Sequence, residues 1–368
     1  MTGNTLFKDM DLNKTYMREA LLLGINEKMA RNDKPYVELE LADGERIITA
    51  RKFDTSAVDL DYAGVETEDV VTVSVRVSLY NGDRSYTVED ICPNRFADVD
   101  VDDFIVKADI DFEKTWRQLI CNVQSCHVPS DRDDLVEPIS DVTLRILKDK
   151  KQAFMHSAAG KTIHHNVIGG LLQHTADMVQ AAMFMAFNYP SLDKELLVCG
   201  AALHDIGKLK EMKTSKVGRV EYTADGRLLG HAVLGILWID YYAEIIGDEE
   251  RICDVERVML LEHMLASHHG SLEFGAITEP AIPEAAVLHA IDMMDSRIYI
   301  FNEAYKDMEP KELSGNIFAL KNSVYRPKLL VPKTVVKTAS IKSDAVIEDF
   351  IEVRSEGYDE STEDIPFI

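Results

Sequence analysis

The spacing of apolar residues changes once along this chain, and that change fixes the fold class. Between residues 16 and 93 the period is two: Val71, Val73, Val75, Val77 and Leu79 alternate with Thr72, Ser74, Arg76, Ser78 and Tyr80, as in a strand with one buried and one solvated face. Asn81-Gly82 supplies the two positive-φ residues of a type I′ turn, which makes the following DRSYTVEDI its hairpin partner. Upstream, Val37, Leu39 and Leu41 alternate with Glu38 and Glu40, and Asp43-Gly44 turns the chain into Arg46 to Phe53. From residue 113 the period is helical, over segments 113–127, 164–187, 195–212, 230–247, 249–267 and 284–307. The chain is therefore expected to be an α+β multidomain protein. A small antiparallel β domain occupies residues 1–95, an acidic linker 96–112 and an all-α domain 113–328.

Charge and cysteine usage narrow what such a protein can do. Forty Lys+Arg against 64 Asp+Glu in 368 residues give a formal net charge of −24. That argues against an unaided electrostatic footprint on nucleic acid, because phosphate neutralisation normally supplies that affinity; a metal or local basic patches would be needed. No run approaches the ~20 apolar residues of a membrane helix, and the first residues lack the apolar core of a signal peptide, so a cytoplasmic protein is expected. Five cysteines without a CxxC pair read as free thiols. Residues 321–342 hold six Lys or Arg and no acid, whereas 343–368 hold nine acids and one Arg. We read 329–342 as a basic segment and 343–368 as an acidic, disordered tail.

The histidines carry the chemistry. Ten of the eleven fall between 156 and 289; in order they include His164-His165, His174, His204 followed by Asp205, His231, His263 and His268-His269, with Asp292 and Asp295 after them. Imidazole and carboxylate without thiolate are the ligand set of a hydrolytic mono- or dinuclear centre. His204 and Asp205 sit in LLVCGAALHDIGK, apolar on nearly all sides, where an unpaired His-Asp would be costly; the plainer reading is a helix-end histidine and an N-cap aspartate. Lys208, one turn on, either neutralises phosphoryl charge or is a solvated lysine. His174 follows Gly169-Gly170, a pair that weakens a helix and suggests close approach of another backbone; only the company of His204-Asp205 raises it above a core histidine. His268 and His269 suit ligands at a helix C-terminus, or that helix's dipole alone. His263 and His289 read as single polar residues of amphipathic helices.

The order H…HD…H…HH…D resembles the HD-domain metal-dependent phosphohydrolases, and HDIGK at 204–208 is a frequent form of their signature. IHHNVIGGLLQHT (163–175), VEYTADGRLLGH (220–231), MLASHHG (264–270) and ALKNSVYRP (319–327), preceded by an OB-like β-barrel, resemble the YhaM-type 3′–5′ exoribonucleases over about residues 16–327. The resemblance implies that His174, His204, Asp205 and Asp292 ligate one divalent ion, and that Asp205 bridges to a second held by His231 and by His268 or His269. Mn²⁺ stands first for both, ahead of Fe²⁺, Co²⁺ and Zn²⁺. His165 and Lys208 would line the phosphate site.

On this reading the protein removes nucleoside 5′-monophosphates from the 3′ end of single-stranded RNA, and of single-stranded DNA as an alternative. Tyr36, Tyr80 and Tyr86 are candidates for stacking bases on the barrel, with strand packing the competing role. Two rivals are an HD-type nucleotidase or cyclic-dinucleotide phosphodiesterase, and an OB-fold nucleic-acid-binding protein whose HD site is vestigial. Partners also include a second copy in a homo-oligomer. STEDIPFI at 361–368 resembles the acidic tip of bacterial single-stranded-DNA-binding proteins; partner docking, autoinhibition of RNA binding and a solvated tail are its three readings.

Overall fold

The computed structural model describes residues 5–80, 83–94, 99–127, 136–160, 166–246, 252–306 and 308–328. Alternating residues 20–93 close into a five-stranded barrel built from β1 (Thr15–Met29), β2 (Pro35–Ala42), β3 (Ile47–Phe53), β4 (Val70–Tyr80) and β5 (Asp83–Pro93), in the order β1-β2-β3-β5-β4. All neighbours are antiparallel except β3 and β5, and a short helix, α1 (Ala57–Tyr62), joins β3 to β4. This is the Greek-key barrel of an OB-fold. Ala20, Leu22, Val37, Leu39, Leu41, Val71, Val73, Val75 and Val77 fill it, as the period of two requires.

The turn at Asp43-Gly44 is held by its aspartate, which accepts from the Glu45 and Arg46 backbone N–H groups through Oδ1. Oδ2 accepts from the Phe7 N–H and pairs with the buried Arg18 guanidinium at 3.1 Å. The β4–β5 hairpin forms with Tyr80 opposite Asp83, while the turn type expected at Asn81-Gly82 lies outside the described residues, as do His165 and both C-terminal segments, 329–342 and 343–368.

The helical part comprises α2 (Phe112–Gln124), α3 (Ile139–His156), α4 (Gly170–Asn188), α5 (Lys194–Leu203), a single turn α6 (Lys208–Glu211), α7 (Ala224–Ile246), α8 (Val255–Ser267) and α9 (Pro283–Lys306). Small two-stranded pairings connect them: β6 (Val136–Glu137) with β9 (Ile252–Cys253), β7 (Met212–Thr214) with β8 (Val220–Tyr222), and β10 (Leu313–Ile317) with β11 (Asn322–Tyr325). The core runs from Trp116 and Leu119 of α2 through all of α5 to Leu288 and Ile291 of α9.

Four expectations are corrected. Periodicity marks no element between 128 and 163, yet α3 fills much of that gap and buries Ile139, Val142, Ile146, Leu147 and Phe154; the charges crowded into its second half blur its apolar stripe. The helix expected over 195–212 stops at Leu203. The one expected from 164 begins at Gly170, after a Gly169 with φ of 79°, whose added Cβ would meet the Phe112 ring rather than another backbone. The acidic stretch 96–112 is not a free linker over its described part: Phe104 and Ile105 are buried against Leu21, Leu23, Ala42 and Ile168, and the Phe104 carbonyl accepts from the Gly44 N–H. Barrel and helices thus share a small third core. All five cysteines are free thiols.

Candidate metal centre

Five helices deliver the groups that the histidine pattern singled out. His174 lies in the second turn of α4 and is fully buried; His204 is the C-cap of α5, still in helical conformation, with Asp205 in the turn beyond it. The His-Asp pair therefore sits at a helix end and not within a helix. His231 follows Gly230, whose φ of 73° breaks α7; His268 caps the C-terminus of α8. Asp292 and Asp295 are three residues apart on α9 and share a face. Gly207 of the HDIGK segment is explained by packing: a Cβ there would fall 1.9 Å from the His231 carbonyl oxygen, so α7 can approach only a glycine.

Each of four imidazoles is anchored through Nδ1. That of His174 donates to Asp295 Oδ2 (2.7 Å), that of His204 to the Ala201 carbonyl (2.9 Å), that of His231 to Glu211 Oε1 (3.2 Å) and that of His268 to the Leu265 carbonyl (2.6 Å). Since a carbonyl or carboxylate only accepts, these assignments put the proton on Nδ1. They turn Nε2 inward, as a lone pair in each ring that carries no second proton. The Nε2 atoms then meet in twos: His174 and His204 at 3.1 Å, His231 and His268 at 3.2 Å. Asp205 lies between the two sets, with Oδ2 3.3 Å from His204 Nε2 and 3.6 Å from His174 Nε2, and Oδ1 3.6 Å from His231 Nε2.

Two groups of ligand atoms result, His174 with His204 and Asp292, and His231 with His268 and His269. Both adjacent histidines are thus brought to the second group. The Nδ1 of His269 is buried and has no hydrogen-bond partner among the described residues. Two imidazole lone pairs ~3 Å apart repel unless a proton or cation lies between them, and 3.1–3.6 Å is the separation of neighbouring donors ~2.1 Å from a common ion. The residues present fit divalent ions.

The charges of the cluster compensate one another. Burial opposes a charge on Asp205, yet Lys208 at 2.7 Å, His204 and His231 outweigh it and hold its carboxyl far below the usual range. Burial likewise disfavours a protonated His174, but Asp292 and Asp295 raise it to about 10, and Asp292 is correspondingly lowered against its own burial. Burial and then the neighbouring rings keep His268 and His269 neutral. Lys208 is held cationic by Asp205 despite burial; it is neither a solvated surface lysine nor remote from the cluster.

Three contributors had no role assigned from sequence. Asp295, named there beside Asp292, orients His174. Glu211 holds both the backbone N–H and Nδ1 of His231; it follows the broken helix end and leaves no periodic signal. His289, set aside as a helix-surface residue, donates from Nδ1 to the His268 carbonyl (2.8 Å). On the barrel, Tyr36 packs against Phe53, its cross-strand neighbour, at 5.7 Å between ring centres, and Tyr80 is 66% exposed. Tyr86 is corrected: only 8% exposed, it stands edge-on to Phe7 inside the barrel and has no face for a base.

The sequence profile of the HD domain matches residues 171–297, which span every group named here from His174 to Asp295. A closed barrel leading into such a centre places the chain among HD-domain proteins that carry an OB-type module. It is 31% identical over 309 residues to the 3′–5′ exoribonuclease YhaM of Bacillus velezensis, covering 83% of this chain and 93% of that one. The enzyme of the same name from Bacillus subtilis matches at 31% over 310 residues with the same shares, and that of Halalkalibacterium halodurans at 31% over 316, covering 85% and 93%. The chain belongs to the YhaM family of 3′–5′ exoribonucleases. Among solved structures, the second OB-fold domain of replication protein A from Methanococcus maripaludis is matched at 16% identity over 26% of this chain and 98% of that one, with a TM-score of 0.21.

Proposed function

We propose that this chain is a cytoplasmic, metal-dependent exoribonuclease that shortens single-stranded RNA from its 3′ end and releases nucleoside 5′-monophosphates, using two divalent ions, Mn²⁺ first among them. The observation that carries the reading is the pairwise meeting of Nδ1-anchored imidazoles, with one oxygen of Asp205 turned to each pair. His174, His204 and Asp292 would hold one ion, His231, His268 and His269 the other, and Asp205 both. Bound there, the ions would supply Lewis acidity toward a phosphodiester and a water acidic enough to ionise near neutral pH.

The remaining work falls to the chain's own groups. Asp295 and Glu211 fix the tautomer and orientation of His174 and His231, as partners of ligating histidines do. Lys208, kept cationic beside Asp205, sets a positive charge where the phosphate would be met. His165 joins it by resemblance. Half-buried Tyr36 with exposed Phe53, and exposed Tyr80, offer rings on which unpaired bases would stack. A folded-back duplex end offers no such free bases, which favours single strands.

The deciding experiment is incubation with Mn²⁺ of RNA and DNA oligomers labelled at either end. Release of a 3′ label as mononucleotide, progressive shortening of 5′-labelled RNA and arrest by EDTA are expected. Internal cuts, or turnover of mononucleotides or cyclic dinucleotides with oligomers untouched, would sink the reading.

A further inference from the structure

Contrary to the expectation that no run approaches a membrane helix, α7 is long and apolar enough by composition to cross a membrane, over Ala224–Ile245, yet only 28% of its apolar window is buried. Its outer face carries Leu237, Tyr241 and Ile245, which are 52%, 55% and 48% exposed and stand four residues apart, in one stripe. On α8, Val255 and Met259 are also exposed and share a helical face with Glu262. Exposed apolar stripes of this kind mark an interaction site.

The two flanks of the stripe differ in charge. On the α3 side, the Lys150 ammonium lies 4.7 Å from the centre of the Trp238 ring. On the α8 side, Asp240 faces Glu262, a carboxyl that its burial and then this like-charged neighbour hold above the usual range. Two carboxylates set together on a rim leave room for a cation from outside.

We propose that the α7 face is a two-fold self-association surface whose occupant is a second copy of this chain. A two-fold axis parallel to α7 keeps every residue at its height along the helix and exchanges the flanks. Trp238 and Asp240 lie within one helical turn. Lys150 of each copy then falls opposite Asp240 and Glu262 of the other, while Leu237, Tyr241 and Ile245 meet their equivalents. A lipid surface fits worse: a chain of net charge −24 is repelled by an anionic leaflet. The inference stands independently of the nuclease reading.

The test is the mass of the full chain at tens of micromolar by light scattering after gel filtration, at ~0.15 M salt, where rim charges still act. Twice the chain mass is expected, falling to one with Leu237→Glu or Tyr241→Glu at unchanged helical circular dichroism. Lys150→Glu and Asp240→Lys should each weaken the dimer about tenfold, and their combination should restore it; should the glutamates disturb folding, this charge swap decides alone. A monomeric wild type, or a dimer indifferent to both glutamates and to the swap, would overturn the proposal. So would a monomer that dimerises only after removal of 329–368, which assigns the stripe to the chain's own C-terminal segment. Monomers that bind phosphatidylserine vesicles through Leu237 would overturn it in favour of a lipid.

Discussion

At the scale of single residues, the centre is a balance of charges that would be costly apart. Asp205 is 3% exposed and is the one carboxylate turned to both imidazole pairs. Asp205→Asn is expected to lower kcat by at least ~10³-fold, the order seen when an essential electrostatic group is removed, with circular dichroism unchanged. Undiminished turnover by the folded variant would exclude a dinuclear site. A second prediction follows from His174. In EDTA-stripped protein its ring keeps a second proton, on Nε2, up to about pH 10, and ligation requires that proton to leave. Affinity for Mn²⁺ should therefore rise about tenfold per pH unit between pH 7 and 9, with one proton released per ion at that site, measured by titration calorimetry in buffers of different ionisation enthalpy. The sign is fixed by the direction of the shift. A raised histidine pKa adds stability to the stripped protein that is fully present below about pH 6.5 and is lost as pH climbs through about 10. A pH-independent affinity would mean that His174 is already neutral.

Individual elements explain what could be read from sequence and what could not. The five imidazoles were legible because histidines rarely cluster without a reason, and Asp292 because it stands in order behind them. Glu211 was not, since its role depends on α5 breaking at His204 and restarting as α6, a three-dimensional event with no period. Tyr86 misled for a related cause. It shares its face with Val88, which is buried, and a bulge at Glu89 of β5, opposite Ser74 and Val75, then moves the inward parity to Ile91. The same scale yields a stability prediction. In the turn between β2 and β3, Asp43 is the partner of Arg18, whose side chain is 1% exposed; the guanidinium also lies over the Phe7 ring at 4.5 Å. Asp43→Ala leaves that cation buried and removes the acceptor of three backbone N–H groups. A loss of about 3–5 kcal/mol is expected in urea unfolding of the barrel, with the α-helical signal retained longer. A loss under ~1 kcal/mol would mean that water reaches Arg18 in the native state.

Across the whole molecule, the barrel's aromatic pair stands at the end of β2 and β3 away from the junction with the helices. The described residues up to Arg326 form a single compact unit. The shared core fixes one end of the barrel to the helices through Leu21, Leu23, Ala42 and Ile47. Tyr36 lies six residues back along β2 from Ala42, ~20 Å at 3.3 Å per residue, and Phe53 lies equally far along β3 from Ile47. A strand that reaches the rings by way of that junction crosses this span first, and at ~3.4 Å per stacked nucleotide this takes about six nucleotides. The consequence is a length threshold. Tyr36→Ala combined with Phe53→Ala should raise KM for 12-mers by ~10-fold or more, taking ~1–3 kcal/mol per stacked base, and leave kcat and the hydrolysis of di- and trinucleotides unchanged. Deleting the whole barrel would be a poorer test, because it would also strip Ile168 and Phe112 of their packing partners. KM values measured across a ladder of two to twelve nucleotides decide the matter: a break near six places the substrate along the barrel, whereas an equal loss at every length would show that the two rings serve folding and that RNA reaches the centre by another route.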